Sequence, residues 1–332
     1  MYFPHPLLLC DIGGTHARFA LVESPGRSLR SLPHMQTTAF ASFETAAGEA
    51  VAAFAIKPLS LIACAAGPVE AQKIQLTNAS WSIEANHLAT VIGLDQGLLL
   101  NDFEAQALSL PILPASWTRP IGPPIETAGG GPHLVIGPGT GLGAALLLEI
   151  DGRYAALPSE AGHMDFGPIG EEESAFWPLL EKGPHGRISV ETLLSGPGLR
   201  RLHRARLAGL EQSAAEIDAA TLVARALSNH EGEETRTIQV FWDLAARFAG
   251  DLALAFMATS VTFSGGILPR ILEFLEPARF RACFENKAPH GARMKSVGTR
   301  LIVTDEAVLA GMAAIGAAPD LYAIDYARRA WG

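Results

Sequence analysis

The sequence predicts an α/β chain of two domains, and three observations predict it. Its 332 residues exceed what one hydrophobic core usually supports. Strand-like and helix-like patterns alternate along it. One plan also occurs twice: a short apolar run, a glycine turn, a second apolar run. The first copy is Leu7 to Val22, with Asp11-Ile12-Gly13-Gly14-Thr15 at its centre and Arg18 beyond. The second is Leu134 to Leu148, turning through Gly137-Pro138-Gly139-Thr140-Gly141-Leu142-Gly143. Paired glycines supply the positive φ angles of tight hairpin turns. Such a turn leaves backbone N–H groups that can cradle a phosphate, while Asp11 faces the metal that accompanies it. A single copy would pass for a surface hairpin; two, opening two halves, suggest a nucleotide held between related domains.

After the first hairpin, Ser42 to Ile56 reads as a helix: Ser42 is the N-cap, Glu44 suits the positive end, and Phe43, Ala47, Val51 and Phe54 share a face. Leu59 to Ala66 reads as a buried strand that stops at the Gly67-Pro68 turn, and Ile74 to Trp81 as another extended piece. Leu98-Leu99-Leu100 follows Gly97 as a short strand, ends on Asn101-Asp102 and leads into a helical stretch, Phe103 to Leu108. Pro111 to Gly131 is rich in proline and glycine, without periodicity, and is the expected crossing between domains. Beyond the second hairpin, Ser159 to Asp165 reads as a loop, an acidic segment starts at Glu171, and Ser189 to Ala258 is mostly helical by pattern. Val261-Thr262-Phe263 then runs into Ser264-Gly265-Gly266 and an expected helix start. Ligands of open α/β sheets bind outside the carboxyl ends of strands, so this third glycine turn is a candidate wall of the same site. A last strand, Leu301 to Thr304, precedes an alanine-rich helix from Asp305.

Composition narrows the function classes. Hydrophobic residues make up 48% and charged ones 18%, which fits a globular enzyme and excludes a disordered chain. With a formal charge of −9 and no basic block, nucleic acid is not an expected partner; Arg200 to Arg206 alternates with apolar residues and reads as a solvated helix face. Cys10, Cys64 and Cys283 are scattered, odd in number and in apolar contexts, so they read as reduced core residues. The run Leu7-Leu8-Leu9 is too short for a signal peptide, and the glycines of Leu134 to Leu148 argue against a membrane helix. A soluble, cytoplasmic protein is expected.

Familiar phosphate and nucleotide signatures do not apply. None of the five lysines follows a glycine, which excludes a Walker loop. Ala55-Ile56-Lys57 and Asp165-Phe166-Gly167 imitate protein-kinase motifs, but no glycine-rich loop or His-Arg-Asp accompanies them. Gly139-Thr140-Gly141 with Ala144 loosely fits a dinucleotide fingerprint, yet only strand length separates Gly143 from the Asp151-Gly152 turn, where that fingerprint needs a helix. Asn101-Asp102 at a strand end is the most informative polar pair, though Asp102 before Phe-Glu-Ala would also make a good helix cap. Glu160 and His163 could simply share a surface hydrogen bond, and Glu191 could simply favour a helix start.

Taken together these residues resemble a family. Asp-Ile-Gly-Gly-Thr-x-x-Arg, Leu-Asn-Asp-Phe, Gly-x-Gly-Thr-Gly-Leu-Gly, Glu-x-Gly-His-x-Asp-Phe, Glu-x-Leu-Leu-Ser-Gly-Pro-Gly and Ser-Gly-Gly-Ile stand in the order found in bacterial glucokinases, over nearly the whole chain. The resemblance implies a two-domain actin-like ATPase fold of the hexokinase type with a ligand cleft between the domains. One domain would be residues 1–112 plus 304–332, the other 113–303. It implies ATP-dependent phosphorylation of glucose at the entry to glycolysis. Asp102 would be the catalytic base and Asn101, Glu160, His163 and Glu191 the sugar ligands. Asp11, Ile12, Gly13, Gly14 and Thr15, Gly139, Thr140 and Gly141, and Gly265 and Gly266 would be the ATP turns, with Mg²⁺ near Asp11 through water. No cysteine cluster follows His163, so the structural zinc of the repressor and kinase branch is not expected, nor is that branch's DNA-binding segment. A kinase for another hexose or an amino sugar, a non-catalytic sugar or nucleotide sensor, and a filament-forming or chaperone-like ATPase stay open on the same fold. Monomer and homodimer stay open as well. The chemistry agrees with the resemblance. Sugar hydroxyls both donate and accept, which Asn, Asp, His and two Glu can match. Phosphoryl transfer needs alignment, charge neutralisation and a carboxylate that takes the hydroxyl proton.

Overall fold

The computed structural model describes residues 1–76, 81–123, 130–183, 186–213 and 215–332, and divides into two compact units. The first comprises Met1–Pro114, Leu147–Pro158 and Thr304–Gly332, the second Ala115–Leu146 and Ser159–Val303. Residues 147–158, which the sequence reading leaves with the later domain, thus group with the first.

In the first unit the sheet runs in the order Ala330–Trp331, Gly97–Asn101, Ser60–Ala65, Leu7–Ile12, His16–Val22, Arg30–Ser31, with Met35–Gln36 also paired to His16–Val22. Leu7–Ile12 and His16–Val22 form the expected antiparallel hairpin, while Ser60–Ala65 and Gly97–Asn101 extend the sheet in parallel. Both Leu7–Ile12 and Ser60–Ala65 are buried throughout, which is why they read as continuous apolar runs rather than alternating ones. The helix Phe43–Phe54 covers the core with Phe43, Ala46, Ala47, Ala50 and Phe54. Its N-cap Ser42 accepts from Thr45 N while Thr45 answers at the Ser42 amide, a reciprocal cap. The extended piece read at Ile74 to Trp81 resolves into strands Lys73–Gln75 and Ser82–Glu84; residues 77–80 between them lie outside the described residues.

In the second unit a sheet runs Thr118–Pro120, Gly298–Ile302, Ser260–Phe263, His133–Pro138 and on into the first residues of Leu142–Ile150. The Pro111 to Gly131 stretch is therefore more than a crossing. Although residues 124–129 are outside the description, Thr118–Pro120 adds an antiparallel edge strand whose register was hidden by its Arg-Pro composition. The helices Gly196–Gly209, Ala219–Ser228 and Glu233–Ala255 account for most of the region read as helical. Phe241, Trp242 and Phe248 of Glu233–Ala255 are buried in a core with Phe263, Phe280 and Phe284, each such ring contributing roughly 1.5–3 kcal/mol of burial. After Ser264-Gly265-Gly266 the chain enters a 3₁₀ segment, Leu268–Phe274, and not the α-helix expected there; Pro269 at its start suits the tighter turn.

Candidate active site

In the first unit three parallel strands end at one edge. Asp11 lies opposite Cys64, and Ile12, Ala65 and Asn101 are in register across the strands. The segment Asp11 to Thr15 and the pair Asn101-Asp102 therefore leave the same edge of the sheet. Asp11 is 5% exposed; its carboxylate is ion-paired with Arg18 and accepts from the Cys64 thiol at 3.5 Å. Arg18 also donates to Asp305 O at 2.5 Å, which gives this arginine a role the sequence left open. Burial, reinforced by the Asp11 charge, pushes the Cys64 thiol well above its usual range.

The turn itself corrects one sequence argument. Neither Gly13 nor Gly14 adopts a positive φ, and a Cβ at Gly13 would make only ordinary contact with His16 O at 3.5 Å. What shapes the turn is hydrogen bonding: Gly13 N donates to His16 O at 2.9 Å, Thr37 N to Thr15 O at 3.0 Å, and Thr37 Oγ1 to Gly14 O at 3.0 Å. Gly13 N is thereby committed. The amides of Gly14 and Thr15 have no protein acceptor among the described residues.

Asn101, not Asp102, caps the helix Asp102–Ser109. Its Oδ1 accepts from Phe103 N at 3.0 Å and Glu104 N at 3.1 Å, and Glu104 returns a bond to Asn101 N. Asn101 Nδ2 donates to Gly67 O at 3.2 Å. Asp102 is the first helical residue and half-buried, its Oδ1 accepting from Phe103 N at 2.9 Å. The Asn-x-x-Glu spacing of a capping box was present in the sequence and identifies which of the two residues is the cap.

In the second unit two glycine turns follow adjacent parallel strands, since Ile136 is in register with Phe263. Gly139 N donates to Gly141 O at 2.7 Å, and Gly196 N to Gly139 O at 2.9 Å. Glu191 Oε2 accepts from Leu142 N at 2.8 Å, and a Cβ on Gly141 would run into that carboxylate. Gly141 is thus glycine because Glu191 is there. Gly265 takes φ +88° and packs on Pro138 O, so it alone among the predicted turn glycines needs the left-handed region. Beside it, Ser264 Oγ is buried with no partner among the described residues. Gly266 leaves open space where a Cβ would sit.

The loops bearing the other candidates are tied together. Val190 N donates to Met164 O at 3.0 Å, and Asp165 bridges to Ser189. Arg187, missed in the sequence, donates to Asp165 Oδ1 at 2.7 Å and to His163 O at 3.2 Å. Further back, Arg247 anchors the neighbouring segment through Glu173 at 2.7 Å and Gly167 O at 2.8 Å. Thr140, His163 and Glu191 line one cavity of about 510 Å³, together with Ser189, Thr192 and Arg201. Glu160 is exposed and lies 3.5 Å from His163 Nε2. The structure so brings Thr140, His163 and Glu191 onto a common surface and sets Glu160 beside it.

No group of three or more His, Cys, Asp or Glu able to hold a metal occurs among the described residues. At Asp11 a single buried carboxylate, already matched by Arg18, suits a cation held mainly by phosphates and water rather than by a protein cage. Among the described residues no helix is long and apolar enough to cross a membrane.

A family model described as Glucokinase matches residues 8–318. A glucokinase of Sinorhizobium medicae is 37% identical over 337 residues, covering 99% of this chain and 97% of its own. The crystal structure of a glucokinase from an Antarctic psychrotroph superposes with a TM-score of 0.79 at 31% identity, over 93% of this chain and 97% of that one. A glucokinase from Balamuthia mandrillaris, solved in complex with glucose, gives a TM-score of 0.80 at 20% identity over 93% of both chains, a likeness of fold. The fold is that of the actin-like ATPase sugar kinases.

Proposed function

Because the chain belongs to the glucokinase family, enzymes that phosphorylate glucose with ATP, we propose how its own residues carry out that reaction. The observation that carries the proposal is the Asn101-Asp102 corner. Asn101 is fixed on three sides by Phe103 N, Glu104 N and Gly67 O, so the next carboxylate, Asp102, is held at the strand's carboxyl edge. A carboxylate so held can orient a sugar hydroxyl and take its proton as the oxygen attacks the γ-phosphorus. The new O–P bond forms to the 6-oxygen of glucose, the bond to the β-phosphate oxygen breaks, ADP leaves, and the proton ends on Asp102.

Glu191, His163 and Glu160, with Asn101, are the proposed hydroxyl partners of the sugar. Glu191 then serves twice, since its second carboxylate oxygen braces the Gly139 to Gly141 turn proposed to meet the nucleotide. The Gly14 and Thr15 amides and the Gly265-Gly266 turn complete the proposed phosphate and nucleoside contacts. Asp11 would hold Mg²⁺ through water, and the ion when bound neutralises phosphate charge. Cys10, Cys64 and Cys283 are free thiols, which suits the reducing cytoplasm as the proposed location.

The test is a coupled assay of glucose, ATP and Mg²⁺, followed by kcat/KM across a panel of hexoses and amino sugars. Turnover with glucose above its epimers is expected. Absence of turnover with any hexose refutes the proposal, and preference for another sugar reassigns the substrate.

A further inference from the structure

The cavity that Thr140, His163 and Glu191 share also contains an uncommitted cation. Of the charged side chains in its lining, Arg187 is matched by Asp165 and the His163 carbonyl. Glu191 is held by the Leu142 amide, and His163 lies by Glu160. Arg201, on the helix Gly196–Gly209, has no hydrogen-bond or ion-pair partner among the described residues, and its Nε is buried without one. An arginine stays charged at any working pH, and a buried donor left unsatisfied is destabilising. Its planar fork matches a phosphate bidentately, a geometry no sugar hydroxyl offers. The cavity's volume, about 510 Å³, falls within the span of small-molecule sites.

We propose that Arg201 is a ligand-binding residue of this cavity, whose guanidinium takes a phosphoryl group of the reaction, from the nucleotide or from the phosphorylated sugar. This rests on the glucokinase reading above, which sends both groups past Thr140 and His163. It adds a cationic contact to turns that otherwise offer mainly backbone amides.

The experiment measures ADP, glucose 6-phosphate and glucose affinities by calorimetry on the full chain, wild type and Arg201→Gln, with circular dichroism as the check on folding. Loss of one charged bidentate contact should weaken ADP or glucose 6-phosphate at least about tenfold, with glucose within about twofold. Weakened ADP identifies the nucleotide as the source of the phosphoryl group; weakened glucose 6-phosphate identifies the product. If neither changes by more than twofold, the proposal is overturned. Should Arg201→Gln fail to fold, Arg201→Lys is measured instead. It keeps the charge and loses the fork, so about a threefold or greater weakening of either phosphorylated ligand supports the proposal and unchanged affinities overturn it. Wild-type turnover of glucose, measured in parallel, separates a failure of this inference from a failure of the reading beneath it.

Discussion

At the scale of single residues, Asp102 and Glu191 make opposite demands on an experiment. Asp102→Ala should lower kcat by at least roughly a hundredfold, the lower end for a lost general base, with glucose still bound; a kcat near wild type would move the base elsewhere. Gly141→Ala tests the brace from the other side, because its methyl would run into the Glu191 carboxylate. Steady-state kinetics should show both ATP and glucose KM values raised, and a rise in only one of them would separate Glu191 from the turn. Buried titratable groups set the pH range of stability. His203, bonded to Thr237 Oγ1 at 2.9 Å, has its pKa lowered chiefly by burial, and burial also lowers His5. The unfolded chain therefore takes up protons first, and stability falls as pH drops below about 6.5. Cys10 and Cys64 are shifted the other way, raised by burial, so above about 8.5 the unfolded thiols ionise first and stability falls again. Denaturant midpoints at pH 5.5, 7.5 and 9.5 should peak at the middle value; a flat series would show that these burials do not control it.

The element that matters most is the helix Asp102–Ser109, which joins the proposed base to the fold. Asn101 satisfies two of its first amides, and Glu104, buried and ion-paired with Arg329, closes the box. Asn101→Ala should cost about 1 kcal/mol of stability and disturb Asp102 as well, while Asn101→Asp keeps the cap and loses only the bond to Gly67 O. Comparing chemical denaturation and kcat for the two variants separates capping from sugar binding: equal kcat losses in both would place the whole effect in the lost amide donor. At the back of the helix, Gly311 lets the helix Ala307–Ala317 approach Ser109 so closely that a Cβ would meet its backbone. Gly311→Ala should therefore destabilise by about 1–3 kcal/mol through overpacking, and an unchanged denaturation midpoint would contradict that packing.

At the scale of the whole molecule, each unit has its own core. One gathers Phe19, Phe43, Trp81 and Leu99, the other Phe241, Trp242, Phe263 and Phe280. Chains with two cores often depart from a single cooperative transition, so calorimetry of the free protein should show either two peaks or one broader than two-state. The proposed sugar ligands are drawn from both units, Asn101 from the first and Glu160, His163 and Glu191 from the second. Glucose at about a hundred times its Kd should then stabilise by about 2.7 kcal/mol and raise the melting of both units. A shift in one transition alone would assign glucose to one unit's residues.

What the sequence determined by itself is what local chemistry decides. Buried strands such as Leu7–Ile12 and Ser60–Ala65 declare themselves by unbroken apolar runs, and the Ser42 helix by its cap and apolar face. The order of the motifs was enough to assign the family. Only tertiary structure decided matters that depend on partners far along the chain. Arg18 gained its role from Asp11 and Asp305, and Thr118–Pro120 became a strand through Gly298–Ile302. Gly13 and Gly14 adopt no positive φ, and hydrogen bonds to His16 and Thr37 shape their turn instead. At Gly141 the requirement for glycine is set by a carboxylate fifty residues later in the chain, at Glu191. Spacing in a sequence reports neighbours within a turn or two, whereas the space available at an atom is set by whatever the fold packs against it.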